Sequence, residues 1–136
     1  MGVYVDPSRE NWQAFKDLPR DTPIQMLNLI KFRDLAEYPA DHPDHGKGVT
    51  GRQAYATYKA AILPIIERLG GGMIWQGRME TVVTGPKGEW DTAFVMGYPS
   101  AKTFFAMLKD PHYIANVVPH RTAAVADSRL IRFAPL

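Results

Sequence analysis

The stretch MIWQGRMETVVTGPKGEWDTAFVMGY, residues 73 to 98, decides how this chain folds. Two apolar-rich runs, 73–84 and 90–98, flank a GPKGE turn, and neither has the three-and-four spacing of a helix. They read as a β-hairpin. The segments on either side do have helical spacing. Upstream, Ala54, Tyr58, Ile62, Ile65 and Leu69 share one face of a helix that Thr50 caps. Pro64 is expected to kink it, because proline removes a backbone donor and crowds the preceding turn. Gly70-Gly71-Gly72 end it, since a left-handed residue at a helix C-terminus favours glycine. Downstream, Ser100 caps a helix carrying Phe104, Phe105 and Leu108, and Asp110-Pro111 restarts it in cap-then-proline order. Pro119 interrupts again, and HRTAAVAD, residues 120–127, completes the helical region.

Two further strands complete the pattern, PIQMLNLIKF at 23–32 and SRLIRFAP at 128–135. From residue 23 to 136 the order is strand, helix, strand, strand, helix, strand. This predicts an α+β, ferredoxin-like βαββαβ core, an antiparallel four-stranded sheet with two helices on one face. Residues 1–22 form a helical extension in which Asp6 or Ser8 caps a helix, Trp12 and Phe15 share a face, and Pro19 stops it. Residues 1–136 thus make a single domain. Helices on one side leave the other sheet face bare, yet both alternations of the hairpin are apolar. Met73, Trp75, Met79, Trp90, Phe94, Met96 and Tyr98 fall on one face; Ile74, Val82, Ala93 and Val95 fall on the other. An apolar second face needs a cover, and a second copy of the sheet supplies it. A homodimer is expected.

Composition excludes several classes. The 16 Lys and Arg are scattered from Arg9 to Arg132 and the net charge is only +2, so no basic face for nucleic acid is expected. No run approaches the roughly 18 apolar residues of a membrane span. The start, MGVYVDPSRE, lacks the basic and apolar regions of a signal peptide, which points to a cytoplasmic protein. The absence of cysteine removes disulfides, thiol nucleophiles and zinc-thiolate sites. There is no G-x-S-x-G elbow and no phosphate loop, and the triple glycine follows a helix, the wrong order for a dinucleotide site. No cofactor is expected.

The candidate chemistry centres on His120 and Arg121. Neighbours on a helix point about 100° apart, so they converge only if Pro119 distorts the turn. In a catalytic reading His120 is a general acid or base, since imidazole titrates near neutral pH, and Arg121 clamps an anion. Asp127, two turns on, is too far from His120 for a dyad on a regular helix. It also sits where the helix dipole disfavours a carboxylate, so an ion pair with Arg129 is expected to hold it, with Arg121 and Arg132 as other possible partners. Asn28 interrupts the apolar run MLNLI and must find hydrogen-bond partners in protein, water or ligand. With Tyr98 it is placed to orient a carbonyl or hydroxyl. Trp75, Trp90 and Tyr98 line an aromatic cavity or simply fill the core. Asp41, His42, Asp44 and His45 are ligand types, but Pro43 breaks their spacing and no metal-site frame surrounds them. The segment from Arg33 to Gly48 therefore reads as a long, mobile, metal-free surface loop.

Several short motifs recur as a set: Tyr98-Pro99-Ser100, Asp110-Pro111-His112-Tyr113, His120-Arg121 and Asp127-Ser128-Arg129-Leu130, with Met26-Leu27-Asn28-Leu29 and Tyr55…Tyr58…Pro64…Gly70-Gly71 upstream. Over residues 23 to 134 the chain resembles a family known as domain of unknown function 1330, within the dimeric α/β-barrel superfamily. The resemblance implies a ferredoxin-like homodimer closing into a dimeric α/β barrel. It also implies a small-molecule pocket between helices and sheet. Superfamily members include cofactor-free monooxygenases, haem-degrading enzymes, small isomerases and proteins without known chemistry, so fold alone does not select a reaction. The functional expectation is a small-molecule-binding homodimer with monooxygenase- or isomerase-like chemistry, or a non-catalytic binding or structural dimer.

Overall fold

The computed structural model describes residues 3–136. Ser8, rather than Asp6, starts α1 (Arg9–Asp17), its hydroxyl accepting the Asn11 N–H at 3.1 Å. Strand β1 (Ile24–Phe32) follows. Thr50 and Gln53 then form a reciprocal capping box at the head of α2 (Gly51–Arg68). This helix continues through Pro64, and the chain leaves it at Gly70 with a φ of +86°, backbone that a side chain would strain. Next come β2 (Gly72–Arg78), β3 (Thr92–Tyr98) and α3 (Ala101–Lys109), which Ser100 caps through the Thr103 N–H. A five-residue π-helical turn (Tyr113–Val117), α4 (Val118–Ala124) and β4 (Val125–Phe133) complete the chain.

The sheet order is β2-β3-β1-β4 and every neighbouring pair is antiparallel, the ferredoxin-like arrangement. It is not a barrel. Strands β2 and β4 are its two edges and do not pair with each other, so the closed α/β barrel expected from the resemblance is corrected to an open sheet.

One face of the sheet carries the core. Ile24, Met26 and Ile30 of β1 and Phe94, Met96 and Tyr98 of β3 pack with Tyr55, Tyr58, Ile62 and Ile66 of α2, all buried. Helix α1 joins this layer from outside: Trp12 and Phe15 meet Phe104 and Phe105 of α3 at centroid distances of 5.4–5.5 Å. Each such pair contributes about 0.5–1.5 kcal/mol beyond its area.

Three expectations are corrected by long-range pairing. Strand β2 stops at Arg78, opposite Thr92, because its partner β3 begins there; residues 79–91 form an irregular connection. A bulge lies between Met73 and Trp75, which face Met96 and Val95 respectively. The extra residue inverts the alternation, so Met73 joins the core while Trp75 turns to the open face. Trp75 and Tyr98 therefore lie on opposite sides of the sheet. Finally, α4 ends at Ala124, and Asp127 belongs to β4, opposite Lys31. Pairing along β1 overrides the helix propensity of the alanine-rich run.

The open face combines Leu27 and Leu29 of β1, Ala93 and Val95 of β3, Ile74 and Trp75 of β2, and Ile131 and Phe133 of β4. Ile74, Trp75, Ile131 and Phe133 are each 41–54% exposed. That is a contiguous apolar surface of the kind that marks an interaction site.

Candidate functional site

The segment expected as a free loop is held against α4. Arg33 and Glu37 donate backbone N–H groups to the carbonyls of Ala124 and Ala123, at 2.8 and 2.9 Å. Between these anchors and Thr50 the chain makes tight turns: the His42 N–H reaches the Pro39 carbonyl at 2.9 Å and the His45 N–H reaches that of His42 at 3.0 Å. The result places a side-chain cluster at the face of α4. Tyr38 is buried, its ring stacks on His42 with centroids 4.4 Å apart, and its hydroxyl lies 2.7 Å from His120 Nδ1. The His42 and His120 rings meet edge to face at 5.5 Å. His42 Nδ1 accepts the Asp44 N–H at 3.0 Å. His42, Asp44 and His120 each offer a nitrogen or oxygen atom within 4.8 Å of the other two, and all three are half-buried.

The π-helical turn explains why His120 points there. Pro119 has no N–H to continue a regular ladder, and the widened turn, closed by the Val118 N–H on the Tyr113 carbonyl, reorients α4. His120 then faces the 33–50 segment. Arg121 faces away, donating to the Val5 carbonyl at 2.9 Å and to the Ser128 hydroxyl at 3.3 Å. The two neighbours do not share a site.

Burial lowers the His120 pKa from its ordinary value; the nearby His42 lowers it further and Asp44 opposes the shift. Tyr38 moves upward, through burial first and then Asp44, so its hydroxyl stays protonated. A lowered folded value for a base means that the unfolded chain binds the proton more readily, so this group's contribution to stability falls as pH drops through the ordinary histidine value, about 6.5. An NMR titration of the His120 ring is expected to give a midpoint below about 6.5, rising when His42 is replaced by alanine. A midpoint above that value, or one indifferent to His42→Ala, contradicts this environment.

The remaining candidates lie elsewhere. Asn28 faces the helix-covered side beside Phe94 and Leu130, and its amide donates to the Met26 carbonyl at 3.2 Å. Tyr98 is buried in the core with its hydroxyl 3.8 Å from the Met107 sulfur, and burial raises its pKa. Trp75 and Trp90 instead border a cavity of about 430 Å³ on the open face, together with Leu29, Met79, Thr92 and Ala93. At its rim the Arg129 guanidinium lies over Trp90, 5.1 Å from the ring centre, and over Tyr4 at 4.7 Å. Arg129 also donates to Asp127 Oδ1 at 2.8 Å. The same carboxylate oxygen accepts the backbone N–H groups of Tyr4 and Ser128, each at 2.8 Å.

Comparison with known proteins places the chain. Residues 47–133 match the domain of unknown function DUF1330. The chain belongs to the DUF1330 family. This DUF1330 chain is 43% identical to RPA0582, a protein of unknown function from Rhodopseudomonas palustris, with 99% of this chain and 98% of that one covered and a TM-score of 0.88. The crystal structure of methylated RPA0582 gives the same identity and TM-score, covering 100% of this chain and 97% of that one. Two distant structures share the fold with a TM-score of 0.51. One is a dimeric protein of unknown function with a ferredoxin-like fold from Bacteroides fragilis NCTC 9343, 12% identical, covering 83% and 96% of the two chains. The other is SnoaB, a cofactor-independent oxygenase from Streptomyces nogalater, 10% identical, covering 85% and 94%. No curated protein matches the chain.

Local spacing flagged His120 but not its partners in this DUF1330 chain. Tyr38, His42 and Asp44 reach it only through the two backbone bonds that dock the loop on α4. The available signal was the length of that irregular segment, a feature associated with function.

Proposed function

We propose that this protein is a small-molecule-binding homodimer, paired through its open sheet face, with an aromatic or otherwise apolar ligand held between Trp75 and Trp90. The observation that carries the reading is the cavity of about 430 Å³ on that face. Its size falls within the roughly 300–1,000 Å³ of ligand pockets, and Leu29, Met79 and Ala93 give it apolar walls beside the polar Arg78, Glu80, Thr81 and Thr92. One chain leaves it open to solvent; a second sheet laid across Ile74, Trp75, Ile131 and Phe133 both buries their exposed area and roofs the cavity. The dimeric Bacteroides fragilis protein and SnoaB, an oxygenase working without a cofactor, support an assembly and a ligand-handling role for this fold.

A panel of small aromatic acids and phenols, screened by thermal shift and by quenching of tryptophan fluorescence, tests the binding reading. Ligands found this way should bind about tenfold more weakly to Trp90→Ala, the loss of one stacking partner and its contact area. His112→Ala, exposed and remote in sequence from the cavity lining, should leave them unchanged. A panel without binders, or binders indifferent to both Trp75→Ala and Trp90→Ala, contradicts it.

A second reading is favoured by one observation, the 2.7 Å approach of the Tyr38 hydroxyl to His120 Nδ1. A neutral imidazole so oriented is equipped to take or give a proton at Nε2. In that reading the protein is an enzyme and His120 its general acid or base.

A further inference from the structure

We propose that His42, Asp44 and His120 are the protein ligands of a divalent transition-metal ion of the zinc class. The three residues come from two segments far apart in sequence, yet each offers a ligand atom within 4.8 Å of the others. Two imidazoles and one carboxylate suit zinc, ferrous iron or manganese; magnesium and calcium favour sites made wholly of oxygen. Three protein ligands leave a fourth position for water or substrate, the pattern of catalytic rather than structural zinc sites.

The surroundings fit this role. Metal-bound histidine commonly uses its second ring nitrogen to bond an outer partner, which fixes the ring and its tautomer. Tyr38 does this for His120: its hydroxyl stands 2.7 Å from Nδ1, and when it accepts the Nδ1 proton the Nε2 lone pair is free for the ion. His42 is further from readiness. Its Nδ1 accepts the Asp44 N–H, so coordination through that nitrogen replaces the bond, and coordination through Nε2 requires the ring to release it. The loop must move in either case. Ligand atoms around tetrahedral zinc stand about 3.3 Å apart, so the group contracts from its present spread by up to about 1.5 Å. The segment can supply that movement. His42 and Asp44 lie in irregular turns, and Gly46 and Gly48 follow with φ of +70° and +71°, whereas His120 is fixed on α4. His45 is not part of the group, because its Nδ1 lies 2.9 Å from the Tyr38 carbonyl.

Tyr38, His42 and Asp44 all precede residue 47, where the DUF1330 match begins, and only His120 lies within it. The site therefore joins α4 to the irregular segment that precedes α2. It shares no lining residue with the tryptophan cavity, so it stands apart from the ligand-binding reading. It does replace the proton-transfer reading, since a histidine whose lone pair holds an ion is no longer a base.

Isothermal titration of chelator-treated full-length protein with zinc chloride at neutral pH tests the proposal. One zinc ion per chain is expected, with micromolar or tighter affinity. His42→Ala, Asp44→Asn and His120→Ala should each weaken binding by at least about tenfold, while Tyr38→Phe weakens it by about tenfold at unchanged stoichiometry. His112→Ala should bind as wild type. Circular dichroism of each metal-free variant establishes folding; if His120→Ala does not fold, the loop variants His42→Ala and Asp44→Asn decide. Absence of stoichiometric zinc binding overturns the proposal. So does zinc binding that both loop variants leave unchanged.

Discussion

Asp127→Ala is expected to lower the free energy of unfolding by about 3 kcal/mol at neutral pH. The carboxylate is only 6% exposed, and one oxygen receives three donors at 2.8 Å, from the Tyr4 N–H, the Ser128 N–H and the Arg129 guanidinium. Alanine removes the acceptor of all three, leaving Arg129 only its bond to the Ser128 carbonyl at 2.8 Å. Removing one partner of a fully buried pair costs about 3–5 kcal/mol. Arg129 is 38% exposed and can rehydrate, which places the estimate at the lower end. Tyr4 and Ser128 also hold the chain start on β4, the Ser128 hydroxyl donating to the Tyr4 carbonyl at 2.7 Å, so the loss extends to that docking. The pH dependence follows from the same contacts. Burial alone would raise the Asp127 pKa, but the Tyr4 N–H, Arg129 and the Ser128 N–H outweigh it and hold the group below its usual value. A carboxylate with a depressed folded pKa contributes stability above its unfolded value, about 3.9, and loses it as pH falls through the folded value. Urea denaturation at a fixed protein concentration should show the widest gap between wild type and variant near pH 7, narrowing below about pH 4. A neutral-pH gap under about 1 kcal/mol, the size of an ordinary substitution, contradicts this account, as does a gap that widens in acid.

Ile131→Asp is expected to weaken self-association by at least about 100-fold, or about 2.7 kcal/mol. Ile131 stands on the open face opposite Leu27 and is 41% exposed, so the substitution leaves the core alone. A single chain should lose less than about 1 kcal/mol, a surface-like effect. In the dimer we propose, the new carboxylate is buried against the apolar face of the partner, where an unpaired charge is costly. Light scattering against dilution separates the two effects. Wild-type and variant dissociation constants within about threefold, or about 0.7 kcal/mol, would remove this face from the interface.

Much of the fold was legible because its determinants are local. Ser8, Thr50 and Ser100 announce helices α1, α2 and α3, Gly70 ends α2, and the hairpin between helical segments makes β2 and β3 neighbours. What escaped depends on contacts distant in sequence. The bulge after Met73 follows from pairing with β3, and it moved Trp75 from the core face to the open one. The early start of β4 at Val125 follows from its ladder with β1, and it turned Asp127 from a poorly placed helix terminus into the acceptor at the centre of a strand-edge network. The site was half legible for the same reason. His120 carries a recognisable chemical type in a proline-disturbed helix. Its neighbours Tyr38, His42 and Asp44 lie in a loop whose internal spacing fits no motif, and they meet His120 only where that loop docks on α4. The closed barrel is implied by the resemblance alone, a superfamily architecture that no residue pattern of the chain specifies, and the sheet instead keeps β2 and β4 as edges.

The central claim is that the exposed apolar face made by Ile74, Trp75, Ile131 and Phe133 is covered by a second copy of the chain. Sedimentation equilibrium of the wild-type protein at micromolar concentration measures this most directly. Twice the chain mass of 15.3 kDa is expected, held on dilution as for an interface burying about 1,200–2,000 Å². A single species at 15.3 kDa across the same range would contradict it.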